Sequence, residues 1–232
     1  MRKIVKSTNV PATLKNAKTP TNKEEVKKDI YGAEDVRKQL LKDQHGKCAF
    51  CEARIHPKYD DVEHYRPKSY YYWLGHEWKN LLYSCPICNR SFKRTEFPLD
   101  QGSVQANSPN DDIGLEKPLI INPSVVDPAE HIRFNRHVAV HNTPAGEKTI
   151  EVFHLNDRNE RPELIDDREE LYKKYDQTLK DLQNAEAILK SPALPQELFK
   201  VAEALCLSLR NSLEELTALR TPFSGMLLAQ KK

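Results

Sequence analysis

Glu63 and His64 stand side by side in DVEHYRPKS (residues 61–69), between the cysteine pair of CAFC (Cys48, Cys51) and that of SCPICNRSFK (Cys85, Cys88). Each Cys-x-x-Cys presents two thiolates from one tight turn, and two such turns complete a tetrahedral Zn²⁺ site. Four thiolates leave no open coordination position, so this chemistry predicts a structural metal, not a catalytic one. A purely structural zinc loop has no need of an acid–imidazole pair in its middle. An imidazole titrates near neutrality and can move a proton, which makes the dipeptide a candidate for chemistry.

The elements that must position this pair follow from pattern. NKEEVKKDIYGAEDVRKQLLKDQHG (residues 22–46) reads as helix, broken near Gly32 and stopped at Gly46. QGSVQANSPNDDIG (residues 101–114) reads as loop. PLIIN, HIRFNRHVAVH and KTIEVFHL read as strands, with NTPAGE turning a hairpin between the last two. From Pro162 the period becomes helical: Leu164, Leu171, Tyr175, Leu182 and Leu189 recur at helical spacing. SPALP breaks the pattern, and a second helix carries Leu198, Val201, Leu205, Leu209, Leu213, Leu216 and Leu219 on one side. The pair predicts an antiparallel helical hairpin.

The residues divide accordingly into four regions: a basic arm over 1–22, expected to be flexible; a zinc-stabilised core over 23–100; a loop with short strands over 101–160; and a helical region over 161–232. The arm carries Arg2, Lys3, Lys6, Lys15 and Lys18 and no acid, in a chain whose net charge is only +2. It reads as a solvated tail or as a contact for phosphates or an acidic partner. A mean hydropathy of −0.72 with 30% charged residues describes a solvated surface. With no apolar run of membrane length and no secretory signal, a cytoplasmic protein is expected. Cys206 reads as a small buried hydrophobe. The aromatics around Trp73 and Trp78 read as core, and His131, His137, His141 and His154 match no metal-ligand spacing. No GxxxxGK[ST] sequence is present, so nucleotide hydrolysis would have to come from a second protein.

Glu63-His64, Asn80-Leu81 and Cys88-Asn89, with Lys93 behind, resemble the HNH endonuclease motif over residues 45–98. HGKCAFCEARI, VEHYRPK, NLLYSCPICNRSFK, FPL, INPSVVDPAEH and TIEVFHLND together resemble the PtuB-like HNH proteins of Septu-type and retron-associated anti-phage systems. The resemblance implies an α+β fold: a zinc-clamped ββα-metal core with an N-terminal helix and a C-terminal helical hairpin. It implies His64 as general base, Glu63 and Asn89 as ligands of a catalytic Mg²⁺ or other divalent cation, and Asn80 as the residue holding the loop of the base. Arg66, Lys68 and Lys93 become candidates for phosphate contacts. It also implies a nucleic acid substrate, with DNA favoured over structured RNA such as tRNA. The implied partners are a PtuA-like ATPase and a retron reverse transcriptase with its RNA/DNA. Glu63 departs from the Asp or His more usual before the base. A non-catalytic zinc module that binds nucleic acid or protein is the competing function class, and a stand-alone DNA-processing HNH enzyme is the third.

Overall fold

The computed structural model describes residues 1–56, 58–192 and 194–231. Its elements in chain order are α1 (Ala12–Lys15), α2 (Lys28–Tyr31), α3 (Glu34–Asp43), β1 (Asp61–His64), β2 (Leu81–Ser84), a π-helical segment Ile87–Lys93 called here the site helix, β3 (Ile132–Asn135), β4 (Val138–His141), α4 (Pro144–Val152), α5 (Pro162–Leu189), α6 (Gln196–Thr217) and α7 (Ser224–Leu228). Helices and two small antiparallel sheets share one hydrophobic core.

The first residues do not form a flexible arm. Met1, Ile4 and Leu14 are buried, and the backbone of Ile4 donates to Pro123 O at 2.8 Å. Arg2 reaches Thr217 O at 3.0 Å and Ser224 Oγ at 3.3 Å. Lys6 lies over the Trp78 ring, 3.9 Å from its centroid, and donates to the carbonyls of Trp78 and Leu81. An ammonium set on an aromatic face and on carbonyl oxygens is how a basic residue enters an interior. Charge counting alone cannot register that, and the arm is a strap across the core.

Around the cysteines the order is strand, long loop, strand, helix. Strand β1 pairs antiparallel with β2, setting Glu63 opposite Leu82 and His64 opposite Leu81. All four residues of β2 are buried, while β1 buries Glu63 and His64 at its end. Helix α3, with Glu34 and Asp35 favouring its N-terminal dipole, packs Val36 and Leu40 at zero exposure. It ends where Gly46, at φ +73°, returns its N–H to Leu41 O at 2.9 Å, a left-handed stop that glycine adopts without steric cost.

The region after residue 101 differs from its expected strands. HIRFNRHVAVH is itself the hairpin, β3 and β4 turning through Arg136 and His137. KTIEVFHL lies within and just beyond α4 and is no strand. Thr143 Oγ1 accepts from Gly146 N at 3.1 Å and Pro144 takes the first helical position. This N-cap followed by proline begins a helix, so it outranks the β-branched alternation of Thr149, Ile150 and Val152.

Helices α5 and α6 form the antiparallel hairpin, meeting through Leu182, Ala185, Cys206, Leu209 and Leu213. Ala193, in the SPALP link, lies outside the described residues. Leu198, Val201 and Leu205 do not join that seam and are 55%, 65% and 48% exposed. Helix α6 ends at Thr217, and the chain returns as α7, burying Met226 and Leu227 in the core.

Candidate metal centre and catalytic cleft

The Sγ atoms of Cys48, Cys51, Cys85 and Cys88 all lie within 4.8 Å of one another, and Cys51 and Cys85 are 3.9 Å apart. A tetrahedral site with Zn–S near 2.3 Å sets sulfurs about 3.8 Å apart, so the four could hold a metal such as zinc. Among the described residues no other group of three or more His, Cys, Asp and Glu could do so. Arg161, just before α5, donates through Nη1 to Cys88 Sγ at 3.4 Å and to Phe153 O at 2.9 Å. Burial works to lower its pKa, but the charges of Cys88 and Cys51 outweigh that and raise it. Four thiolates on Zn²⁺ would carry a net charge of about −2, and this buried guanidinium would compensate part of it.

Strand β1 leaves the cysteine turn and delivers His64 to a cleft. The ring is buried and its Nε2 lies 2.9 Å from Gly75 O. Only glycine fits at position 75, because a Cβ there would meet Val26 Cγ1 at 2.5 Å and Tyr72 O at 2.9 Å. The carbonyl fixes the tautomer: Nε2 carries the proton and donates it, and Nδ1 keeps its lone pair. Nδ1 has no protein partner among the described residues. Burial, opposed by the Gly75 bond, pulls the His64 pKa down to about 3. The imidazole is therefore neutral, a departure from the near-neutral value expected of a free side chain. Tyr31 of α2 covers it edge-on, with ring centroids 4.6 Å apart.

Asn80 does not line the cleft. Its Oδ1 accepts from Arg66 N at 2.8 Å, and its Nδ2 donates to Arg66 O at 3.1 Å and Leu74 O at 3.2 Å. These three bonds clamp the two ends of the loop that carries Gly75. Within that loop Tyr71 and Trp73 are buried core residues.

Glu63, His64, Lys68 and Asn89 line one cleft with Tyr31, Arg94 and others, enclosing about 200 Å³. Glu63 is held 2.6 Å from Lys93, and both side chains are nearly inaccessible. Burial raises the Glu63 pKa and Lys93 opposes that rise. Lys93 also donates to His64 O at 3.0 Å.

Two of the three expected phosphate contacts are placed elsewhere. Lys93, at zero exposure, is the counter-ion of Glu63. Arg66 turns away to the buried Glu116, Nε to Oε2 at 2.7 Å, where Tyr71 also donates at 2.7 Å. A desolvated carboxylate needs a cation more than a solvated phosphate does. Lys68 remains at the cleft, donating to Tyr31 OH at 2.7 Å. Sequence reasoning missed Tyr31, Gly75, Arg94, Glu116 and Arg161. A glycine next to an aromatic cluster, Gly75 after Tyr70–Leu74, is the one local signal for any of them.

The structure thus defines a mixed helix and small-sheet protein with a four-cysteine cluster that could hold a metal, beside a histidine–asparagine cleft. No family model matches the chain. It is a homologue of proteins named Septu protein PtuB. It is 36% identical to that of Bacillus mycoides over 162 residues, 62% of this chain and 53% of the relative. It is 30% identical to that of Bacillus thuringiensis over 167 residues, 69% and 58% of the two lengths. A Septu protein PtuA of Bacillus mycoides is 28% identical over 144 residues, covering 56% of this chain and 20% of that protein. The chain spans somewhat more than half the length of the PtuB relatives it matches. No helix among the described residues is long and apolar enough to cross a membrane.

Proposed function

We propose that this chain is a metal-dependent HNH-type endonuclease that hydrolyses phosphodiester bonds as the effector of an anti-phage defence system, with a PtuA-like ATPase as partner. The observation that carries this is the state of His64: its Nε2 is tied to Gly75 O and its Nδ1 is without a protein partner, in a cleft shared with Glu63 and Asn89. The strand–loop–strand–helix order around it, clamped at the cysteine turns, is what a ββα-metal core would need. The PtuB and PtuA similarities support the defence setting and the partner. The retron-associated form of that setting, with its reverse transcriptase and RNA/DNA, rests on the sequence resemblance alone.

In this reading Nδ1 takes a proton from the attacking water, and the Gly75 carbonyl holds the ring in the tautomer that can do so. A phosphodiester anion entering the cleft raises the His64 pKa from its depressed value toward the range of an effective base. Asn80 keeps the Gly75 loop in place. Mg²⁺ binds through one or two protein oxygens while retaining waters, which suits the donor pair Glu63 and Asn89, although Glu63 would be shared with Lys93. When bound there, the ion would stabilise charge on the phosphate and the leaving oxygen.

The test is cleavage of plasmid DNA and of total cellular RNA by the wild type and His64→Ala, with Mg²⁺ and after its removal, each with and without the PtuA-like partner. Loss of general-base catalysis is worth about 10²–10⁴ in rate, and the nucleic acid that disappears names the substrate. Equal inertness of both proteins with the partner present, with nucleic acid or partner binding retained, would establish a non-catalytic zinc module instead.

A further inference from the structure

Arg94 follows the last residue of the site helix and is exposed at the cleft that holds His64 and Asn89. Its backbone lies at φ 48°, ψ −110°, a conformation that L side chains rarely adopt and glycine takes freely. Its N–H returns to Asn89 O at 2.8 Å, so this turn fixes Arg94 relative to Asn89. A turn that needed only its shape would be best served by glycine. An arginine there is explained by its side chain.

The cations nearby are already committed. Lys93 is buried against Glu63. Arg90 holds Asp61 through two bonds, Nε to Oδ2 at 2.8 Å and Nη2 to Oδ1 at 2.5 Å. Arg66 is on Glu116, and Lys68 donates to Tyr31 OH and lies 4.5 Å from that ring's centroid. The guanidinium of Arg94 has no hydrogen-bond or ion-pair partner among the described residues. A planar fork of donors at the rim of a cleft containing a neutral imidazole and an ion-paired carboxylate matches a phosphate oxygen pair.

We propose that Arg94 is a substrate-binding residue of this cleft, gripping a backbone phosphate of the nucleic acid beside the bond presented to His64. This rests on the nuclease reading above. It assigns the phosphate grip to a residue outside the HNH motif positions, in place of Arg66 and Lys93.

The experiment uses the full chain carrying His64→Ala, so that substrate is bound but not turned over. A short fluorescein-labelled DNA duplex and a labelled RNA hairpin serve as probes, with anisotropy read over a series of salt concentrations. Arg94→Gly removes the side chain and suits the backbone, so its Tm should equal or exceed that of its parent. Its affinity should fall about tenfold at low salt, and its log K against log salt slope should become shallower by about one ion. Arg94→Lys, which keeps the charge, should recover part of the affinity and most of the slope. If the parent binds a probe and Arg94→Gly binds it equally with the same slope, Arg94 is not the phosphate contact and the nuclease reading is untouched. If the parent binds neither probe even with the PtuA-like partner present, the nuclease reading fails and this assignment goes with it.

Discussion

Lys93 and Glu63 meet at 2.6 Å between β1 and the site helix, at 0% and 4% side-chain exposure. One turn back along the same helix, Arg90 and Asp61 form a second rung between the same two elements, with the guanidinium 67% exposed and the carboxylate only 11%. The pairs are alike in chemistry and differ in the solvation of the cation. The buried one carries the stability, because an exposed pair contributes only about 0–1 kcal/mol, whereas losing one member of a buried pair strands a charge.

Lys93→Met should therefore destabilise the protein by about 3–5 kcal/mol in urea unfolding, and Arg90→Met, which removes an exposed cation, much less. Lys93→Met combined with Glu63→Leu should cost much less than the sum of the two single changes, since both charges leave together. Additive losses in the double-mutant cycle would show that the two side chains are not coupled.

Asn80→Ala removes three hydrogen bonds at once and leaves Arg66 N, Arg66 O and Leu74 O without their partner. Unmet buried groups cost about 1–3 kcal/mol each, so a loss of at least ~2 kcal/mol is expected. The Gly75 loop should open before global unfolding. Hydrogen exchange should then show residues 66–80 losing protection in the variant while α5 and α6 keep theirs. Uniform loss of protection would place Asn80 in the general core and not in a loop clamp.

How far the sequence carries depends on distance along the chain. The cysteine turns, the Gly46 stop and the α5–α6 hairpin were legible because each is specified within a few residues, by spacing or by helical period. Arg66 was misassigned because its partner, Glu116, lies fifty residues away and no local pattern announces it. Lys93 reads as a surface charge until the fold sets Glu63 beside it. Arg2 and Lys6 read as a solvated tail because their carbonyl partners belong to other segments. The α4 misreading has another origin: Thr143-Pro144 is a local helix start that competes with β-branched alternation, and the capping hydrogen bond prevails. Of the cleft, the Glu63-His64 dipeptide and Asn89 were readable from motif, while Gly75 and Arg94 depend on loop geometry.

Metal content and C-terminal structure should be linked. Stripping the cysteine centre with a strong chelator, or changing Cys88 to Ser, leaves Arg161 buried without the sulfur charge it faces. A structural zinc centre supplies about 10–16 kcal/mol of binding free energy, more than the whole stability of a typical domain. One zinc per chain is expected by elemental analysis. Its removal should produce a cooperative loss of helical circular dichroism that extends to α5, not a local change at residues 48–88. Retention of the full helical signal in metal-free protein would refute the coupling.

Lys6 makes an alkaline prediction. Burial pulls its pKa from 10.5 down to about 7, with Asp43 opposing. Between pH 7 and 10.5 the unfolded chain then binds more protons than the native one, so this group's contribution to stability increases as pH rises through that window. Its carbonyl partners, Trp78 O and Leu81 O, and the face of Trp78 favour the charged form and reduce the effect. The Tm of the wild type relative to Lys6→Met should rise from pH 7 to pH 10. A constant difference would mean that Lys6 keeps its ordinary pKa in the strap.

The strap also imposes an order of events during synthesis. The cysteine centre is complete once Cys88 has left the ribosome, and it joins residues that emerge close together. Arg2 cannot reach Thr217 O and Ser224 Oγ until the far end of the chain exists. At about 5–20 residues per second that wait is on the order of ten seconds. For that time the nascent chain would have its four cysteines assembled and Lys6 able to seat on Trp78 and Leu81, while Arg2 still lacks the two groups that pin it.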